Sequence, residues 1–409
     1  MSRKLTDWLA AYREFTEDWE PPEAFNTWCA LVVLSTATRR GVWLEEAKMQ
    51  LWPNLFVVLV GPSGCGKTSA MRAATPFIEH LKDAYGVGIS PAKVTMRKLW
   101  TRLEESSIPV EGVGMITPYV IWVEEFPSFL GSDAYRSGML ADLTTIYDCP
   151  KILEKETQTA GDVSIERPYV TMGAGATASG LFDVLPPGSV AQGFTARLIF
   201  VAGDYPDKVL ERKWETKHEK LSLALMHDLD VIAKLRGPMQ MSDVAKALWA
   251  DFYMNRPDPD EEYADARLQG YASRRPLYVK KLGMLLSLSE GDTMLVEAHH
   301  LELALQLLGQ VDRSLVKIYG EIAPKVTINA YPKMLRVLRK SKDHRLSHSE
   351  LFRRFSYILD AREFEATLQA MEGMGLIASE VDAGDVGRAW QRRKFYKMTK
   401  EGGHWLSDR

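Results

Sequence analysis

Cysteine is scarce: the 409 residues carry three, Cys29, Cys65 and Cys149. At those spacings they form neither a disulfide framework nor a metal-ligand pattern, which fits a reducing compartment. No apolar run reaches eighteen residues, so no membrane-spanning helix and no membrane partner are expected. The charged start Ser2-Arg3-Lys4 leads into no apolar signal core, and a cytoplasmic location is the expectation. A dominant charge is missing too. The formal net charge is −3, which neither demands nor excludes nucleic acid. The spread is uneven: from Lys333 to Lys400, fifteen Lys/Arg stand against nine Asp/Glu, so a basic tail follows a more acidic body. Tandem repeats and low-complexity tracts are absent. The eight histidines are scattered, no nuclease or primase constellation stands out, and His299-His300 reads as a helix start rather than a metal site.

What is present centres on Leu55 to Thr68. The apolar run Leu55-Phe56-Val57-Val58-Leu59-Val60 passes directly into Gly61-Pro62-Ser63-Gly64-Cys65-Gly66-Lys67-Thr68, a complete G-x-x-x-x-G-K-T loop, and Ser69 onward continues as a helix. The glycines let backbone N–H groups turn toward an anion, and the helix N-terminus adds partial positive charge. Lys67 is placed to reach β- and γ-phosphates and the Thr68 hydroxyl to hold Mg²⁺. Cys65 reads as a small loop filler. About 57 residues after Lys67, the apolar strand Tyr119-Val120-Ile121-Trp122-Val123 ends in Glu124-Glu125. Hydrolysis of a nucleoside triphosphate needs such a pair: Glu124 for Mg²⁺, through water, and Glu125 to polarise the attacking water. Late in the same region, Arg197 stands just before the strand Leu198-Ile199-Phe200-Val201-Ala202. An arginine there either reaches the γ-phosphate of a neighbouring subunit or pairs with a surface acid.

Around these motifs the spacing predicts an amphipathic helix over 5–20, broken by Glu20-Pro21-Pro22, and a buried helix over 23–38. Strands at 55–60, 119–123, 169–174 and 198–202 alternate with helices at 67–82, 93–105 and 137–147, which predicts a parallel sheet covered on both faces. Residues 151–157 and 163–167 read as a hairpin. Residues 206–320 read almost wholly as helix, with Ser242-Asp243 as a cap. The tail has helices at 331–341, after Ser347 and after Asp360, then strands at 376–381 and 394–398. That is the plan of a winged helix-turn-helix. The division expected is 1–50 helical, 51–205 ATPase core, 206–325 helical lid and 326–409 winged helix.

On these segments the chain resembles an AAA+ P-loop ATPase, an α/β core with a helical lid, and most of all the minichromosome-maintenance type of replicative helicase. The likeness rests on the P-loop, the acid pair, the hairpin before the next strand, and Ala196-Arg197-Leu198-Ile199-Phe200-Val201 followed by Asp204-Tyr205-Pro206-Asp207. Over roughly 20–320 it is also similar to a phage and prophage P-loop family found beside primases. The resemblance implies ATP with Mg²⁺, bound along Gly61, Pro62, Ser63, Gly64, Cys65, Gly66, Lys67, Thr68 and Ser69. It implies Arg197 as an arginine finger supplied in trans, within a homo-oligomer for which a hexameric ring is the family expectation. Thr177 takes the place where the family carries a sensor asparagine. Among Arg274, Arg275 and Lys280, Arg275 is the choice for the lid sensor. The hairpin lysines Lys151 and Lys155 stand where the family grips nucleic acid; an ordinary edge hairpin is the other reading. In the tail, Arg353, Arg354, Arg362, Arg388, Arg392 and Arg393 are placed to meet DNA phosphates, with Trp390 and Tyr396 on the wing, unless that module docks a protein instead. The expected activity is a ring-forming DNA helicase acting on single-stranded or forked DNA, beside a primase or another replisome protein. The alternatives are a helicase loader or initiator, and a protein-remodelling ATPase.

Overall fold

Asp7 opens the first helix, α1 (Trp8–Phe15): its carboxylate accepts the N–H groups of Leu9 and Ala10, a cap worth about 1 kcal/mol. The chain is described here from a computed structural model, over residues 2–47, 49–111, 113–131, 138–155, 163–185, 193–205, 216–259, 266–322, 327–355, 361–382 and 393–407. Helix α2 (Glu23–Thr38) is apolar on every side, and Phe25 through Thr38 are all buried. A helix without a polar face must lie inside. It ends at Arg39, which adopts the left-handed conformation. Strands β1 (Val42–Glu46) and β2 (Met49–Leu51) follow.

The central sheet then builds up in turn. It comprises β3 (Phe56–Val60), α3 (Lys67–Tyr85), β4 (Gly88–Ile89), α4 (Met96–Glu105), β5 (Ile108–Val110), β6 (Gly114–Val123), α5 (Phe126–Leu130) and α6 (Met139–Tyr147). A separate hairpin, β7 (Ile152–Lys155) with β8 (Val163–Glu166), leads to β9 (Pro168–Ala176), α7 (Ala178–Val184) and β10 (Ile199–Ala202). The order across the sheet is β10-β3-β9-β6-β4, all parallel, with β5 antiparallel beside β6. Every residue of β3 and β9 is buried, as a parallel strand covered on both faces requires. The expected α/β architecture, a parallel sheet flanked by helices, is what the chain adopts.

Beyond β10 come α8 (Thr216–Ile232), β11 (Gly237–Met241), α9 (Asp243–Asn255), α10 (Ala266–Glu290), β12 (Leu295–Val296) and α11 (Ala298–Ile322). Here the nearly all-helical expectation is corrected. β11 and β12 join β1 and β2 in a second sheet, ordered β12-β11-β1-β2. Two- to five-residue strands of mixed burial carry too short an alternation to register against helical periodicity. Ser242 does cap α9, accepting the Ala245 N–H.

The chain divides into two units, Met1–Ile322 and Ala323–Arg409. The segments expected as separate parts before residue 325 share one hydrophobic core, from Trp8 to Leu315. Polar ties reinforce it: Asp228 accepts the backbone N–H groups of Lys4 and Leu5, and the Tyr278 hydroxyl donates to Ala196 O at 2.6 Å. Among the described residues no helix is long and apolar enough to cross a membrane.

The second unit holds α12 (Thr327–Lys340), β13 (Arg345–Ser347), α13 (His348–Phe355), α14 (Ala361–Gly373), β14 (Ile377–Asp382), β15 (Arg393–Met398) and α15 (Lys400–Ser407). A third strand, β13, joins the expected ribbon in the order β13-β15-β14, and α15 adds a fourth helix. Ser347 closes a capping box: its Oγ accepts the Glu350 N–H at 3.3 Å, and the Glu350 carboxylate accepts the Ser347 N–H at 3.2 Å. Ser347→Ala is expected to destabilise this unit by about 1 kcal/mol, read by thermal unfolding of the full chain. An unchanged transition would show the box to be idle.

Candidate functional site

The site is built on the carboxyl ends of three adjacent strands. β3 ends at Val60 and delivers the loop Gly61–Gly66 into the first turn of α3. Gly66 caps that helix at φ +91°, a backbone conformation that costs an L side chain on the order of 1–2 kcal/mol. Past it, the N–H of Ala70 returns to Gly66 O at 2.9 Å. The N–H groups of Lys67, Thr68 and Ser69 belong to the open first turn, where a helix has no internal acceptors to offer. Lys67 is only 8% exposed. Its Nζ donates to Gly61 O at 2.7 Å and Pro62 O at 2.8 Å, so the loop is already curled around an ammonium group. An anion placed there meets one full charge and several aligned N–H dipoles.

β9 lies between β3 and β6, and its register brings the acid pair beside the loop. Val60 is paired with Ala176 and Val123 with Ala174. Gly61 N–H also donates to Ala176 O at 3.2 Å. The strand is narrow where it passes Glu124: a Cβ on Gly175 would stand 2.5 Å from Glu124 O. Glu124 Oε1 accepts from Arg72 Nε at 3.1 Å. Arg72 is one turn beyond Thr68 on α3, so Thr68 and the Glu124 carboxylate face the same side of that helix. Both partners of the Arg72–Glu124 pair are well exposed, at 71% and 44% of their side chains. A pair so placed is worth at most about 1 kcal/mol and yields readily to a competing cation. The sequence reading did not single out Arg72; its i+4 spacing from Thr68 was the available signal.

Glu125 begins α5, and its carbonyl accepts the Phe129 N–H. Among the described residues its exposed carboxylate meets no cation and no donor. Thr177, at the end of β9, caps α7 by accepting the Gly180 N–H at 3.1 Å, with Ser179 Oγ 3.2 Å away. It therefore stands between the P-loop and the acid pair, with its oxygen engaged at the helix end.

Arg197 lies elsewhere. It closes a short turn, Thr195–Arg197, ahead of β10, and β10 runs parallel to β3. That puts Arg197 at the end of the sheet opposite the P-loop of its own chain. The residue is 7% exposed. Its guanidinium grips Asp148 with two bonds, Nε to Oδ1 at 3.1 Å and Nη2 to Oδ2 at 2.5 Å, while Nη1 donates to Gly193 O at 2.9 Å. Asp148 is half exposed, and Arg274 stands 4.0 Å from it. Sequence reasoning missed Asp148, which ends α6 forty-nine positions upstream with no motif to mark it.

The three candidate cations of α10 point in different directions. Arg275, the choice for a sensor, pairs with Asp312 on α11 at 2.6 Å, and the Tyr271 hydroxyl also donates to Asp312. Burial lifts the Asp312 carboxyl above its usual range, with Arg275 opposing that shift. Lys280 reaches Glu46 at 2.5 Å. Neither partner belongs to the P-loop or the acid pair.

Lys281, which the sequence reading passed over, is fully buried and donates to Asn54 O at 2.9 Å and Asn54 Oδ1 at 2.7 Å. Burial lowers its ammonium to about 7. An unfolded lysine titrates near 10.4, so between those values the unfolded chain binds more protons and stability rises with pH. Folding stability is expected to climb from pH 7 to 8.5, by at most about 1.4 kcal/mol per unit from this group. Lys281→Met should flatten that rise in denaturant titrations. An unchanged slope would show that Lys281 does not titrate in this window.

Of the hairpin lysines, Lys155 is tied to Asp142 on α6 and lies over the Trp100 ring at 5.2 Å, whereas Lys151 is exposed. Arg353 and Arg354 are exposed in the last turn of α13. Arg393 opens β15, paired through its backbone with Asp382; its side chain, with that of Arg362, lies outside the described part. Arg388, Trp390, Arg392, Asp360, the hairpin tip at 158–162 and the Pro206-Asp207 turn lie outside the described residues.

Glu290, His299 and His300 bring potential metal-ligating atoms within 4.8 Å of one another. His300 Nδ1 accepts the Glu297 N–H at 2.9 Å, at the start of α11. The proton of a neutral ring then sits on Nε2, 3.2 Å from Glu290, and that nitrogen has no lone pair left for a metal. His300 thus serves the start of α11, with Glu290 as its and His299's hydrogen-bond partner.

The chain matches no protein-family model, and no curated protein is similar to it.

Proposed function

We propose that the chain is an ATP-hydrolysing, ring-forming motor that acts on DNA, of the AAA+ replicative-helicase kind. The observation that carries this reading is the convergence of Lys67, Thr68, Glu124 and Glu125 on adjoining strand and helix ends, with β9 interposed. A triphosphate fits the loop: the Lys67 ammonium is already inside it, and the α3 N–H groups face out of it. The chemistry of the donor set also fits a divalent cation, since a hydroxyl and a carboxylate share one helix face with only a weak, exposed arginine in competition. Thr68 and Glu124 would hold Mg²⁺, which when bound screens phosphate charge. Glu125 would orient water and take its proton. Thr177 would donate its hydroxyl proton toward the phosphate end of the site. Arg197 supports an assembly because it sits too far across the sheet to serve its own P-loop; a neighbour's nucleotide is the one it would meet, after exchange of its Asp148 pair. Six subunits in a ring is the arrangement this reading carries.

The DNA part of the proposal rests on the basic second unit, read as a winged helix whose Arg353, Arg354, Arg392 and Arg393 would meet phosphate, and on the hairpin, where Lys151 is exposed. Arg275 would act as a sensor only by leaving Asp312. Residues 216–322 would serve as the lid of the ATPase. A forked DNA duplex tests the reading directly. Wild-type chain is expected to separate the strands with ATP, and single-stranded DNA is expected to raise ATP turnover several-fold. Hydrolysis indifferent to DNA would point to a protein-remodelling ATPase, and DNA-stimulated hydrolysis without strand separation to a loader.

A further inference from the structure

The end of the sheet opposite the P-loop holds a second cavity of about 480 Å³, a size that takes a small ligand. Five of its lining residues are cationic, Arg39, Arg40, Lys151, Arg167 and Arg236, and none is acidic. Arg39 and Arg40 are 6% and 7% exposed. Among the described residues, Arg39, Arg40 and Arg236 have no carboxylate at ion-pair distance. Buried cations without counter-charge are costly, and proteins ordinarily pair them. Some donors are satisfied: Arg40 holds the carbonyls of Cys149, Pro150 and Pro168 at 2.8–2.9 Å. Arg39 Nε, fully buried, has no partner. Burial and then the neighbouring Arg236 lower the Arg39 guanidinium to about 10. Arg39 and Arg40 also both adopt positive φ, 45° and 63°, a conformation of uncommon cost for consecutive long side chains.

We propose that this cavity binds a nucleoside phosphate, with the phosphate among Arg40, Lys151, Arg167 and Arg236 and the base against Trp43. Phosphate is favoured over a lone carboxylate because the cluster is multivalent, and guanidinium forks match phosphate oxygens. A base is favoured over inorganic phosphate because Trp43 and Trp52 form an aromatic wall, ring centroids 5.3 Å apart. Arg40 already covers the Trp52 ring at 4.7 Å, which leaves Trp43, partly exposed, to stack. The same chemistry is presented by a free nucleotide and by one link of a single strand. This inference is independent of the P-loop reading.

The test compares wild type with Arg167→Glu/Arg236→Glu in the full chain, two cavity cations that take no part in the DNA contacts proposed above. Two probes are used: a fluorescent twelve-nucleotide oligo-dT, with ADP saturating the P-loop, and ADP itself counted by equilibrium dialysis. If the cavity takes a strand, the double variant is expected to weaken oligo-dT binding at least tenfold and to reduce the salt slope of binding by about two. If it takes a free nucleotide, the variant loses one bound ADP equivalent and keeps the other. Unchanged binding of both probes overturns the proposal. Should the double variant fail to fold, Arg167→Gln alone, changing a partly exposed residue, gives the same comparison, with oligo-dT affinity or the second ADP equivalent as its readout. Hydrolysis is not read, so failure here leaves the ATPase assignment standing, and an inactive P-loop leaves this one standing.

Discussion

Glu125→Gln is expected to bind ATP normally and to hydrolyse it about 10²–10⁴-fold more slowly. The amide keeps the shape and hydrogen-bonding reach of the carboxylate but cannot accept a proton. The structure makes this substitution clean. Glu125 sits at the head of α5 with its side chain exposed, so no ion pair is broken and folding should be preserved. Single-turnover hydrolysis, measured beside equilibrium ATP binding, separates the chemical step from affinity. Turnover within a factor of about three of wild type would sink the assignment of Glu125 as base, because loss of a positioned proton acceptor costs at least tenfold more.

Arg197→Ala is expected to lower turnover by about 10³-fold, the lower range for loss of an arginine that neutralises charge on a transferring phosphoryl group. Its position makes a sharper claim than the rate. Because the guanidinium lies across the sheet from its own P-loop, each site would be completed by two chains. Arg197→Ala and Glu125→Gln, each nearly inactive alone, should then partly restore hydrolysis when mixed, since some interfaces pair an intact Glu125 with an intact Arg197. Arg197→Lys should not recover activity, since a single ammonium cannot reproduce the two-pronged geometry seen on Asp148. Sedimentation of each variant checks that assembly survives. An Arg197→Ala assembly of wild-type size and full turnover would reduce Arg197 to a structural partner of Asp148.

Much of the central architecture was legible in advance, and for identifiable reasons. Eight loop positions in fixed order marked the turn from β3 into α3, and an unbroken apolar stretch marked α2 as interior. Glu124 and Glu125 declared themselves by ending an apolar strand at a spacing that β9 could bridge. What escaped was set by distant partners. Asp148 holds Arg197 from the end of another helix, and no local pattern announces such a pairing. On α10 the three candidate cations diverge because successive helical residues turn by about 100°. Arg274 therefore faces Asp148 while Arg275 faces Asp312 and Lys280 faces Glu46. The short strands of the second sheet escaped because tertiary pairing with β1, rather than local alternation, holds them extended.

The two largest hydrophobic clusters among the described residues have an evolutionary consequence. One is drawn wholly from Trp8 to Leu315 and the other wholly from Tyr331 to Tyr396. Each stretch of polypeptide therefore carries its own apolar interior, and selection can act on the two units separately. A recombination event that joins a foreign sequence near residue 323 exchanges one module and leaves the other's interior intact. The second unit can then be exchanged while the strand that leads into Lys67 keeps the packing it has in the first.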